Sequence, residues 1–172
     1  MSKPEGRIKT HNAVLHYLHT QVRRLFGVNI SQIEPLLFVG GQFRPDQWPQ
    51  IYKRGVRAVL SLQAEYEDRF EGAPEPQALR LLVPDYHPPS IEQLQEAVSF
   101  IEEMHTQELP VFIHCHAGMG RAPLTAAAYL MQTRSWDHRQ ALKHIRHSRP
   151  IVTLNEIQMG RLLEWEAHLQ KR

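Results

Sequence analysis

The apolar positions change period several times along the chain, and each change marks an element. Between about Ala13 and Phe26, Val14, Leu15, Leu18, Val22 and Leu25 recur at helical spacing with basic residues opposite, which predicts a surface amphipathic helix. A membrane-surface anchor is the minor alternative for this helix. Leu36-Leu37-Phe38-Val39 runs into Gly40-Gly41 and reads as a short strand and turn. A helix with Pro45 in its first turn extends to Lys53 and is stopped by Gly55. Val56 to Leu62 and Leu79 to Val83 read as strands, the second broken by Pro84. An acidic, aromatic-bearing loop from Gln63 to about Gln77 joins them. Ser90-x-x-Gln93 forms a capping box that opens a helix to about His105. The run Leu109 to Ile113 is a further strand. Three helical stretches follow it: Arg121 to Thr133, Trp136 to His147 and Leu154 to Leu169.

Strands alternating with helices, then an all-helical end, predict an α/β fold. The expected form is a three-layer sandwich with a mostly parallel central sheet flanked by helices. No repeat or low-complexity tract divides the chain. Residues 1–30 read as an N-terminal helical extension and residues 31–172 as one domain with its own core. Trp48, Tyr52, Phe100 and Trp165 fall at helical spacings and are expected in that core.

A net charge of +2 without a long basic run gives no ground for nucleic-acid binding. No apolar stretch approaches the length of a membrane span, and Met1 to Asn12 lacks a secretory apolar segment. The single cysteine excludes an internal disulfide and fits a reducing compartment, so a cytoplasmic location is expected. The eleven histidines raise the question of metal. His16 with His19, and His144 with His147, share helix faces but have no evident third ligand, so they read as solvated. Neither a metal nor a cofactor is expected, and oligomeric state is left open.

That one cysteine sits in His114-Cys115-His116-Ala117-Gly118-Met119-Gly120-Arg121, after a strand and before an Ala-rich helix. In a strand-loop-helix of this kind, backbone N–H groups converge on an anion at the helix N-terminus. Gly118 and Gly120 let the backbone turn and approach closely. Arg121 can return its guanidinium fork to two phosphate oxygens. Cys115, at the strand end, lies on the floor of the cradle, where the positive field favours the nucleophilic thiolate. A thiolate attacking a phosphate ester needs an acid to protonate the leaving oxygen. Asp85 in Val83-Pro84-Asp85-Tyr86-His87-Pro88-Pro89 is the best candidate, on a proline-stiffened loop that leaves the sheet at the same edge. The bland alternatives are a buried core cysteine and a turn aspartate.

Cys-x5-Arg preceded by His resembles the signature of the protein tyrosine phosphatase superfamily. With Asp85, Pro88-Pro89 and the helix to Met104, the stretch from about Ile33 to Leu169 resembles the atypical dual-specificity phosphatases. The resemblance implies Cys115 as nucleophile, Arg121 as phosphate clamp and Asp85 as acid, then base. It also implies phosphate binding by the amides of His116, Ala117, Gly118, Met119, Gly120 and Arg121, and His114 holding the loop carbonyls from behind and helping to ionise the thiol. Asn155 and Gln158 lie where related phosphatases place residues that brace the loop or position water; surface polar positions at a helix start are the alternative.

Two features refine the substrate expectation. The family usually has Ser or Thr directly after the arginine, where this chain has Ala122-Pro123, and Arg-Ala-Pro is similar to the loop of plant glucan phosphatases. The loop also contains no lysine, and the segment carrying Glu65, Glu67, Asp68, Glu71 and Glu75 is acidic and should repel a polyanion if it borders the pocket, so both features disfavour phosphoinositides. The expected substrate is therefore a phosphorylated protein (phosphotyrosine, phosphoserine or phosphothreonine). A phosphoglucan, stacked on Tyr66, Phe70 and Tyr86, is the alternative. A weakly active phosphate-binding pseudophosphatase and a rhodanese-like sulfur transferase are the other readings, and Asp85 disfavours both.

Overall fold

β1 (Ile30–Glu34), β2 (Leu37–Gly41), β3 (Ala58–Ser61), β4 (Gln77–Arg80) and β5 (Val111–Cys115) pair in the order β1-β2-β5-β3-β4. Only the β1–β2 pair is antiparallel; β2–β5, β5–β3 and β3–β4 are parallel. The computed structural model describes residues 27–171, so the helix expected between Ala13 and Phe26 lies outside the described residues.

Alternation along the strands sends side chains to two separate cores. Val39, Leu60 and Ile113 face α2 (Ile91–Thr106), α3 (Arg121–Arg134), α4 (His138–Ser148) and α5 (Glu156–Gln170), packing with Ile101, Leu124, Ile145 and Trp165. Phe38, Val59 and Phe112 face the other way, onto Trp48 and Ile51 of the short helix α1 (Trp48–Tyr52). The result is the three-layer α/β sandwich that the alternation of elements predicts. Trp48 and Trp165 are fully buried, and Tyr52 and Phe100 are partly buried against the two cores.

The capping box is formed: Ser90 Oγ accepts from Gln93 N at 3.1 Å, and Ser90 N donates to Gln93 Oε1 at 2.9 Å. Three elements differ from the sequence expectation. β1 carries only two buried residues, Ile30 and Ile33, too few to announce a strand, and it forms by pairing to the edge of β2. The helix from Pro45 to Lys53 is a 3₁₀ turn at Pro45–Gln47 followed by α1. β4 ends at Arg80 rather than Val83, although Leu81 N still donates to Ser61 O at 2.9 Å and Leu81 and Val83 remain buried.

Candidate active site

β5 runs through the middle of the sheet and ends at Cys115, while α3 begins at Arg121. The loop between them is shaped from outside. His116 O accepts from Gln42 N at 3.0 Å, and Met119 O accepts from Thr153 N at 3.0 Å. Buried Arg149 donates through Nε to Gly118 O at 2.6 Å and through Nη2 to Asn29 Oδ1 at 2.9 Å. Asn29 Nδ2 in turn donates to Ala117 O at 3.2 Å. The four successive carbonyls of residues 116–119 are thus consumed by the scaffold. Gly118 has φ +69°, and a Cβ there would lie 2.4 Å from both Arg149 Nη2 and Gly40 O. Only glycine fits.

These residues border a cavity of about 460 Å³ that brings together Cys115, His116, Ala117, Met119, Gly120 and Arg121 with Asp85, Tyr86, Thr153, Asn155 and Gln158. Cys115 is a free thiol, 3% exposed. Asp85 lines the same cavity from the loop after β4, where Oδ1 accepts from Arg121 Nη2 at 2.8 Å and from Tyr86 N at 3.0 Å. Tyr86 holds φ at +63°, an uncommon conformation for a residue with a side chain, and is 73% exposed at the cavity mouth.

Asn155 caps α5 by accepting from Gln158 N at 2.9 Å, and its Nδ2 reaches back to Tyr86 O at 2.8 Å. It therefore ties the Asp85 loop to α5 as well as starting the helix. Gln158 is buried and packs over the loop, since a Cβ on Gly120 would meet its amide at 2.7 Å.

Arg121 is 1% exposed and heavily engaged. Nη1 donates to Leu62 O at 3.0 Å, Val83 O at 2.7 Å and Glu65 Oε2 at 2.9 Å; Nη2 donates to Glu65 Oε1 at 2.6 Å as well as to Asp85. Burial works against its charge, but the Glu65 hydrogen bond, with Cys115 and Asp85 nearby, outweighs burial and raises its pKa above the ordinary arginine value. The same hydrogen bond from Arg121 holds the Glu65 carboxyl below the usual carboxylate range.

Glu65, like Asn29, Arg149 and Thr153, is a site residue that the sequence pattern did not single out. It stands among five acids of one loop, and only the requirement that a buried guanidinium find a carboxylate would have selected it. The acidic loop is therefore not simply a repelling border, because Glu65 is neutralised by Arg121 and Asp68 is bonded to His114.

His114 corrects its expected role. The family resemblance implies that it holds the loop carbonyls, but those of residues 116–119 are held by Gln42, Asn29, Arg149 and Thr153. Alternation on β5 turns the His114 ring toward Phe43 and Phe112, each 5.3 Å away, and Nε2 meets Asp68 Oδ2 at 2.7 Å. Phe70 is also reassigned. It packs 4.9 Å from the Trp48 ring beneath the sheet, whereas Tyr66 is half exposed and stacks on His116 at 6.1 Å. Of the histidine pairs, His144 lies edge-on to Trp136 and 3.5 Å from Glu34, His147 is exposed, and His16 and His19 lie outside the described residues.

Residues 37–168 match the family model of the dual specificity phosphatase catalytic domain. The chain belongs to this family. It is 30% identical over 139 residues to dual specificity protein phosphatase 1-B of Xenopus laevis, a match covering 80% of this chain and 37% of that protein. It is 35% identical over 145 residues to dual specificity protein phosphatase 5 of Rattus norvegicus, covering 80% and 36%. The chain thus spans little more than a third of the length of these relatives. Among solved structures, Tk-PTP in its active form is similar with a TM-score of 0.72 and 28% identity, covering 81% of this chain and 97% of that one. Among the described residues no helix is long and apolar enough to cross a membrane.

Proposed function

We propose that this dual-specificity phosphatase family member is a cysteine-dependent phosphatase that hydrolyses phosphate monoesters of proteins through a phosphocysteine intermediate, in a reducing compartment such as the cytoplasm. The observation that carries this reading is the convergence of Cys115, Arg121 and Asp85 on one cavity whose loop carbonyls all point into the scaffold. Cys115 Sγ attacks phosphorus as its bond to the ester oxygen breaks, and Asp85 gives that oxygen a proton. Water then attacks phosphorus while Asp85 takes its proton, the S–P bond breaks, and phosphate leaves. Charge on the equatorial oxygens is met by the amides of residues 116–121 and by Arg121. Its Nη1 is committed to protein acceptors, so Nε and, once Asp85 turns to the ester oxygen, Nη2 face the phosphate. Glu65 keeps the fork from swinging.

Two alternatives have less support. The phosphoglucan reading loses one of its three stacking rings, because Phe70 is committed to the core. A pseudophosphatase has no need of an acid, yet Asp85 stands at the cavity with Cys115. The test is phosphate release from an aryl phosphate in the presence of a chelator. Wild type should release phosphate and Cys115→Ser should not; equal release by both overturns the reading. Comparing phosphopeptides with a phosphoinositide and amylopectin then fixes the substrate class, and phosphopeptides should be preferred.

A further inference from the structure

Behind the loop lies a pair of titratable side chains that this chemistry does not use. The His114 ring is completely buried, and its Nε2 lies 2.7 Å from Asp68 Oδ2, whose side chain is 11% exposed. A carboxylate only accepts, so the proton of this bond sits on Nε2. The other ring nitrogen, Nδ1, is buried with no hydrogen-bond partner among the described residues, and so are Ser61 Oγ and both amide atoms of Gln63. Ser61 is the register partner of His114, which places its side chain on the same sheet face. Packing on Phe43 and Phe112 restrains the plane of the imidazole but does not choose between its two flipped orientations. Asp68 makes that choice.

We infer that Asp68 is a positioning residue: its carboxylate fixes the His114 ring and, through it, the end of β5 from which Cys115 projects. The inference rests on the phosphatase reading above. His114 directly precedes Cys115, and its carbonyl is pinned by Leu62 N at 3.0 Å, so a reorientation of the wholly buried ring is felt at the first residue of the anion loop. A carboxylate that orients a histidine standing next to the reacting group is a recurrent arrangement in catalytic sites. Neither side chain lines the cavity that holds Cys115. The predicted effect is therefore on turnover and thiol reactivity, not on binding.

The test compares wild type with Asp68→Ala and Asp68→Asn in the full chain. Four quantities are read: kcat and KM on an aryl phosphate, the rate of Cys115 alkylation by iodoacetamide at fixed pH, the low-field imidazole N–H resonance assigned by its loss in His114→Gln, and Tm. Asp68→Ala should lose the resonance, slow alkylation severalfold and lower kcat about tenfold, with KM within about twofold of wild type. Asp68→Asn keeps an acceptor opposite Nε2–H and should recover part of the kcat. If Asp68→Ala fails to fold, a reduced kcat with unchanged KM in Asp68→Asn supports the proposal alone. A wild-type kcat and alkylation rate in a variant that has lost the resonance, or a fall in Tm with no change in kcat per folded molecule, overturns it. Should wild type release no phosphate at all, the phosphatase reading fails, while the resonance and alkylation rates still decide the part played by Asp68.

Discussion

Glu65 and Arg121 meet through two parallel hydrogen bonds, Oε1 to Nη2 at 2.6 Å and Oε2 to Nη1 at 2.9 Å, with the guanidinium almost wholly buried. Bidentate pairing of this kind fixes direction as well as charge. It presents the remaining edge of the fork to the cavity, and it offsets the cost of burying a cation beside the loop.

Glu65→Gln should therefore destabilise the protein by about 2 kcal/mol, the scale of a hydrogen bond to a charged group, and should reduce kcat/KM. The pH dependence follows from the lowered pKa of Glu65. The unfolded chain takes up the proton near the ordinary value of 4.5, before the folded protein does, so the contribution of Glu65 is full above that value and is lost as pH falls through the folded pKa. Urea denaturation between neutral pH and pH of about 3 should show a steeper acid loss in wild type than in Glu65→Gln.

Asp85 has a different signature, because its carboxylate rests on Arg121 Nη2 but its proposed work is at the leaving oxygen. Asp85→Asn should lower kcat roughly 10²-fold on an alkyl phosphate, and the deficit should shrink as the leaving group becomes more acidic. Steady-state rates over a series of aryl and alkyl phosphates give the slope. A deficit independent of the leaving group would remove Asp85 from the acid role.

Ala122 is fully buried in the apolar core at the first turn of α3. Ala122→Ser should change breakdown of the phosphoenzyme more than its formation, because a hydroxyl there can assist departure of the thiolate. It should also cost about 1 kcal/mol if that hydroxyl finds no other partner. Rapid-mixing measurements of burst and steady-state phases separate the two steps, and equal effects on both would contradict the assignment.

The layers of the sandwich, the strand that carries Cys115, the helix that starts at Arg121 and the Ser90 cap were legible because each depends on local period or capping chemistry. β1 was not, since Ile30 and Ile33 acquire strand geometry only from the neighbouring β2. The partners of buried polar groups were also hidden. Asp68 lies 46 residues from His114, and Glu65 lies 56 from Arg121. No spacing rule links positions brought together by parallel strands. The place of Phe70 was hidden for the same reason: its ring packs on Phe43 and Trp48, which lie far away in sequence.

Away from the cavity, His105 supplies a stability test. Its Nε2–H donates to Leu36 O at 2.9 Å, which leaves Nδ1 to accept from Tyr129 Oη at 2.8 Å, so the neutral ring is fully satisfied. Burial holds its pKa below the ordinary 6.5, against the opposing pull of the Leu36 carbonyl and Glu34. On acidification the unfolded chain therefore binds the proton first, and stability falls as pH drops below the ordinary histidine value. In His105→Gln this part of the acid loss should disappear. Thermal denaturation at neutral and mildly acidic pH should show the gap between wild type and variant narrowing as pH falls.

The central claim is that the sulfur of Cys115 takes the phosphoryl group. Acid quenching during turnover of an aryl phosphate, followed by mass spectrometry of the proteolysed chain, tests it most directly. The peptide containing Cys115 should carry a phosphate in wild type and none in Cys115→Ser. Turnover with no phosphate on that peptide, or a phosphorylated peptide elsewhere in the chain, would contradict the account.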